Sequence, residues 1–338
     1  MTLPRSFAPV NIADKLDETG MRGQNFIFLT DWKREQLISL FEAAQMIEPF
    51  WKHRLNLMNN RILGTIFFQP STRTRFSTED AMVRLGGSVL SESNPLHSSS
   101  TAKGESLFDY LRTVSTYTDI IGLRHYDDEK VFSSLNGATV PVISCGWGDV
   151  THPTQGILDL YTCYRAFGDF MGMKIMIATP DLSRARSGHS FAMGLAQMGA
   201  EIIYVGSSKN KMLPLVHDKL NEAGAKYEIY NDLSNAEIME LMSDCDACYL
   251  PGCSVPKDNP EDRAAFLDLI KPFYITLEGL ETIKKKTGRK VGIMHSLPRN
   301  DVEFDHDIDN SEFQLYFQQM AFSVPIRMAL IAAMVGVK

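Results

Sequence analysis

Two glycine-rich phosphate loops are missing from this sequence. Neither G-x-x-x-x-G-K-[ST] nor G-x-G-x-x-G occurs, which argues against nucleotide and dinucleotide binding. Cysteine is scarce, five in 338 residues, and an odd number. Cys245 and Cys248 have C-x-x-C spacing, but Asp244 and Asp246 flank them and no second pair follows at a zinc-site distance. Buried free thiols are the expectation. H-E-x-x-H is absent, and Asp305-His306-Asp307 lies in an acidic run that reads as a solvated loop, so neither a metal nor an organic cofactor is expected. Positive charge is in deficit, 34 Lys and Arg against 41 Asp and Glu, for a net charge of −7 and a pI near 5.7. Such a surface repels nucleic acid and anionic membrane, so any anion site must be local. The start, Met1 to Ser6, lacks the apolar core of a signal peptide, which points to the cytoplasm. The longest apolar stretch, near Met328 to Val337, is too short for a membrane span and reads as a buried C-terminal helix.

What is present is a chain of the right length for two α/β domains with a cleft between them. Strand-like and helix-like segments alternate throughout, the pattern of parallel sheets covered by helices. Buried strands are expected at 62–68, 118–123 and 140–144, and then at 174–179, 201–205, 227–230, 247–250 and 291–294. The segment 152–168 carries Ile157, Leu160, Tyr161 and Tyr164 at helical spacing and predicts an interdomain helix with one buried face. Two doubly wound domains follow, 1–153 and 154–319, with residues 320–338 returning to the first. In such sheets ligands bind beyond the carboxyl ends of the strands.

The strand ending at Phe67-Phe68 runs into Gln69-Pro70-Ser71-Thr72-Arg73-Thr74-Arg75 and then into a helical pattern. A helix start offers free N–H groups and a favourable dipole, while hydroxyls and guanidinium groups add donors, so the turn predicts a phosphate site.

Phe67-Phe-Gln-Pro-Ser-Thr-Arg-Thr-Arg75 resembles the carbamoyl phosphate signature of the aspartate and ornithine transcarbamylases. The resemblance extends over nearly the whole chain: Ser98 to Glu105, Arg124-His125, His152-Pro-Thr-Gln155, His295-Ser-Leu-Pro-Arg299 and Tyr316-Phe-Gln-Gln319 follow in the family's order. It implies transfer of a carbamoyl group from carbamoyl phosphate to the amine of an amino acid. Ser71, Thr72, Arg73 and Thr74 would hold the phosphate. Ser99 and Lys103 would arrive from a neighbouring chain of a homotrimer with shared sites. Arg124, His152 and Thr74 would polarise the carbonyl, where preorganised donors lower the barrier most. Gln155 and the main-chain oxygens of Ser296 and Leu297 would accept from the carbamoyl NH2. Ser296 replaces the family's proline, a change expected to matter little because the role falls to a backbone oxygen. Leu297-Pro298 is the position of a cis peptide in the family.

The acceptor side departs from the pattern. Asp181-Leu-Ser-Arg-Ala-Arg186-Ser-Gly-His-Ser190 resembles the family's D-L-x-x-x-R-x-x-H-S, placing Arg186 on the acceptor's α-carboxylate. Lys103 and Leu297 are also implied at the acceptor. Where aspartate transcarbamylases carry the T-R-x-Q that grips the aspartate side chain, this chain has Gly252 and Ser254. Losing a charged partner costs about 1.5–3 kcal/mol. Aspartate is the acceptor expected from overall similarity. The alternative is an acceptor whose side-chain carboxylate is absent or modified, and Lys257 is a possible replacement cation. A catalytically silent paralogue would be expected to lose the charge that Arg73, Lys103, Arg124 and His152 preserve.

Overall fold

A computed structural model of the chain describes residues 11–253, 255–256 and 258–337. Two parallel sheets organise it. The first, of order β2-β1-β3-β4, comprises β1 (Ile62–Phe67), β2 (Ser88–Glu92), β3 (Ile120–His125) and β4 (Val142–Trp147). The second, of order β7-β6-β5-β8-β9, comprises β5 (Lys174–Ala178), β6 (Glu201–Gly206), β7 (Lys226–Asn231), β8 (Ala247–Leu250) and β9 (Gly292–His295). β3 and, next to it at the end of the sheet, β4 are buried along their whole length, as expected of parallel strands covered on both faces.

The sequence pattern anticipates eight of these strands and misses β2. Residues 88–92 (Ser-Val-Leu-Ser-Glu) are mostly exposed on the sheet edge, so they lack the apolar run that marks the others. β3 and β4 also begin and end later than expected, because Arg124, His125 and Trp147 continue the strands that carry them toward the cleft.

Helix Pro153–Phe167 joins the two halves. One buried face was the expectation, but every residue from Pro153 to Cys163 is buried. The helix is packed by the Arg186–Met198 helix on one side and by the C-terminal helix on the other. That C-terminal helix, Tyr316–Val335, is twice the length of its apolar stretch, and Pro325 lies inside it. By length and composition it is apolar enough to cross a bilayer, contrary to the sequence estimate, yet two thirds of that window is buried inside the protein. It packs on the Arg34–Ile47 and Thr72–Arg84 helices of the first half. Ile326, Met328, Leu330 and Ile331 are fully buried there, each contributing about 1.5–3 kcal/mol by leaving water. Cys245 and Cys248 are buried free thiols.

Candidate active site

The carboxyl ends of both sheets open onto a cleft of about 1170 Å³. At its floor, β1 leads into the Thr72–Arg84 helix. Ser71 is the N-cap, in extended backbone, and its hydroxyl makes no bond to the helix. The first-turn N–H groups are therefore left to a ligand, as an anion site requires. Ser71, Thr72, Arg73 and Thr74 all line the cleft.

Arg124 enters from the end of β3 and is 8% exposed, donating from Nη1 to the Cys145 carbonyl at 3.0 Å. Gly146 makes room for it: the backbone there has φ +111°, and a Cβ would stand 2.9 Å from Arg124 Nη1. His152 caps the Pro153–Phe167 helix from the adjacent position, and the Ser190 hydroxyl accepts its backbone N–H at 2.8 Å. Its Nδ1 lies 3.2 Å from the Thr154 hydroxyl and its Nε2 3.3 Å from the Thr74 hydroxyl. Burial, reinforced by the positive charges of Arg124, Arg186 and Arg327, holds the His152 pKa well below its usual value. At neutral pH it is an uncharged imidazole able to donate one N–H, a role that needs no proton exchange with solvent.

The second half supplies the opposite wall. Past β9, the loop His295-Ser-Leu-Pro298 turns with Leu297 at φ +51° and a cis bond to Pro298. His295 accepts the Leu297 N–H through Nδ1 at 2.7 Å, so its Nε2–H points to Glu303 Oε1 at 3.0 Å. Across the cleft Arg73 Nη2 donates to the Leu297 carbonyl at 2.6 Å. Gln155 also lines the cleft, and its Nε2 donates to Asp159 Oδ1 at 2.7 Å. The Ser296 side chain is also engaged: its hydroxyl donates to the Pro251 carbonyl.

Charge in the cleft is one-sided. Arg73, Arg124, Arg186 and Arg327 all line it, and among the described residues none has a carboxylate within 4 Å. Each donates to neutral oxygens instead: Arg73 to Leu297, Arg124 to Cys145, Arg186 to Gly148 (2.7 Å) and Gln69 (3.3 Å), Arg327 to Ser323 (2.9 Å) and Thr154 (3.1 Å). The lining acids are already committed, Glu79 to the Thr65 and Ser91 hydroxyls and Asp80 to Arg84. Burial pulls the Arg124 and Arg327 pKa values down to about 10, with Arg186 and Arg73 adding to the effect at Arg124. All stay charged at neutral pH, so the cleft is a preformed receptor for a multiply charged anion.

At the acceptor end Arg186 begins its helix beside the loop that follows β8. Pro251, Gly252 and Cys253 line the cleft, together with Val255, Ser296 and Asn300. Gly252 has φ +82°, and a Cβ would lie 3.3 Å from both the His295 ring and the Ser296 hydroxyl. Asn300 Nδ2 donates to the Cys253 carbonyl at 2.8 Å. Ser254 and Lys257 lie outside the described residues. Several lining residues escape the sequence reading, Asn300 and Arg184 among them. Asn300 follows directly on the H-S-L-P-R motif, and Arg184 stands two positions before Arg186; adjacency to motifs was the available signal. Ser99 and Lys103 do not line this cleft, and the 98–105 segment bonds to its own neighbours, with the Ser99 hydroxyl donating to the Pro95 carbonyl at 2.7 Å.

Two family models match the chain, one in each half. Residues 24–165 match the family described as "Aspartate/ornithine carbamoyltransferase, carbamoyl-P binding domain", and residues 171–334 match "Aspartate/ornithine carbamoyltransferase, Asp/Orn binding domain". The chain belongs to the aspartate/ornithine carbamoyltransferase family. It is therefore a carbamoyltransferase. Its relatives include the ureidoglycine carbamoyltransferase of Rubrobacter xylanophilus, 44% identical over 94% of this chain and 93% of that protein. The aspartate carbamoyltransferase catalytic subunit of Methanocaldococcus jannaschii is 35% identical over 92% of this chain and 98% of that one. A solved structure of the M. jannaschii catalytic subunit superposes with a TM-score of 0.76 at 34% identity, covering 91% of this chain and 96% of that one. The Trypanosoma cruzi aspartate transcarbamoylase bound to aspartate and phosphate gives 0.79 at 27% identity, covering 94% and 97%.

Proposed function

We propose that this carbamoyltransferase acts on an α-amino acid whose side chain is uncharged, and that ureidoglycine, the acceptor named for the 44% identical relative, fits better than aspartate. One observation carries the reading. Among the described residues, the wall where the acceptor's side chain would lie is formed by uncharged Pro251, Gly252, Cys253, Val255, Ser296 and Asn300, and Gly252 holds a left-handed backbone conformation that an arginine would strain. A ureido group offers N–H donors and a carbonyl, which neutral amide and backbone groups can pair.

In the reaction, Arg73 and the N-terminus of the Thr72–Arg84 helix hold the phosphate with Ser71, Thr72 and Thr74. Arg124, Thr74 and neutral His152 donate toward the carbonyl oxygen as it gains charge. Gln155 and the carbonyls of Ser296 and Leu297 accept from the carbamoyl NH2, which requires Arg73 to release Leu297. Arg186 takes the acceptor's α-carboxylate. The amine attacks, the C–O bond to phosphate breaks, and the departing phosphate takes the amine's proton, so no covalent enzyme intermediate is needed.

The enzyme works as a homotrimer. Lys103 and Ser99 lie outside their own chain's cleft, and exposed Leu90, Leu96 and Phe108 stand on the elements around them, a surface suited to a second copy. Mixing Lys103→Ala with Arg73→Ala chains should restore activity that neither has alone; mixtures that stay inactive would remove the shared site.

A second reading has its own support. Arg184 lines the rim and could supply the charge for aspartate's second carboxylate. Ureido-product formation across ureidoglycine, aspartate and ornithine decides between them. Aspartate turnover that leads the panel and collapses in Arg184→Ala or Lys257→Ala would reject the uncharged acceptor.

A further inference from the structure

Gln155 can read the carbamoyl NH2 only if its amide oxygen, and not its NH2, faces the cleft. The two ends of a glutamine amide have nearly the same shape, so something must fix which is which. The fixing begins at a backbone group. The His295 N–H, which can only donate, is accepted by Gln319 Oε1 at 2.9 Å. Gln319 is therefore oriented without ambiguity, and its Nε2 must face Asp159 Oδ1, 2.7 Å away. The same Oδ1 receives Gln155 Nε2, also at 2.7 Å. Gln155 Oε1 is then left for the cleft.

All three side chains are buried: Asp159 and Gln319 are fully so and Gln155 is 7% exposed. Water cannot substitute cheaply for a lost partner there. The relay spans three parts of the fold, since Asp159 and Gln155 sit one turn apart on the interdomain helix, Gln319 lies on the C-terminal helix and His295 ends β9.

We infer that Asp159 is a positioning residue for carbamoyl recognition: with Gln319 it relays the direction of the His295 N–H to Gln155, so that the amide presents an acceptor to the carbamoyl nitrogen. The inference rests on Gln155 being the group that reads that nitrogen. It also ties Gln155 to the loop whose Ser296 and Leu297 carbonyls would share the task, so both acceptor sources are set by one network.

Acetyl phosphate, with a methyl in place of the NH2, provides the probe, because it needs the phosphate and carbonyl contacts but no acceptor. In Asp159→Leu, Gln155 loses its anchor, and the preference for carbamoyl phosphate over acetyl phosphate, read from their dissociation constants, should fall about tenfold, while inorganic phosphate binding stays within twofold. Asp159→Asn is the rescuing variant: both glutamines donate to a single oxygen, which Asn can keep in place, so the preference should return to within about threefold of the native enzyme. If Asp159→Leu fails to fold, Asp159→Thr makes the same test. Equal weakening of all three ligands would mean a merely structural role and overturn the inference, as would an Asp159→Asn protein that folds but has lost the preference. Gln155→Met separates the two layers: an unchanged preference in that variant would show that Gln155 does not read the nitrogen, whatever Asp159 does.

Discussion

The two ends of the cleft are built differently. At the phosphate end, the lining groups come from strand ends and helix starts: Arg124 is the penultimate residue of β3, Thr72 to Thr74 open a helix, and His152 and Gln155 stand at the start of another. Such groups are fixed by the hydrogen bonding of the elements that carry them. At the acceptor end, Arg186 and Ser187 open a helix, and much of the remaining wall among the described residues is a loop from Pro251 onward, tied down by Ser296 and Asn300. Rigid elements preserve a chemistry, whereas loops allow its substrate to change. A carbamoyltransferase can therefore alter its acceptor without disturbing the step that activates carbamoyl phosphate.

That contrast can be broken by substitution. The largest effect belongs to Arg124→Ala, which removes the buried donor proposed to serve the developing oxyanion. Turnover should drop about 10²- to 10³-fold for every acceptor alike; steady-state kinetics with two acceptors would reveal it, and a loss confined to one would contradict the division.

Next comes Arg186→Ala. The acceptor KM should rise about ten- to a hundredfold, the cost of one charged partner, while carbamoyl phosphate binding measured by calorimetry changes little. A matching loss of carbamoyl phosphate affinity would show that Arg186 serves both ends, which its bonds to Gly148 and Gln69 on the phosphate side make a real test.

The smallest and sharpest change is Ser296→Pro, which restores the residue usual in the family. It removes the hydroxyl bond to Pro251 and should alter the ranking of acceptors by about three- to tenfold. Carbamoyl phosphate affinity should hold, since the Ser296 carbonyl is retained. An unchanged ranking would return Ser296 to the minor role that the sequence alone suggests.

The sequence by itself determined the fold class, eight of the nine strands among the described residues and the family, and it named Ser71 to Thr74, Arg124, His152 and Gln155, which the structure brings into one cleft. Those signals are local: apolar runs mark buried strands, and Gln69 to Arg75 or His152 to Gln155 carry their chemistry in a few consecutive residues. Edge strand β2 was lost because an exposed strand needs no apolar run. Only the tertiary structure decided the burial of the interdomain helix on all sides, which depends on two helices from distant parts of the chain packing against it. It alone joined Asp159 to Gln319 across 160 positions, gave the Ser296 hydroxyl its partner, and revealed the left-handed turn at Gly252. Each of these requires two backbones to meet in space, and the direction of a hydrogen bond between groups far apart in the chain is written in no single segment.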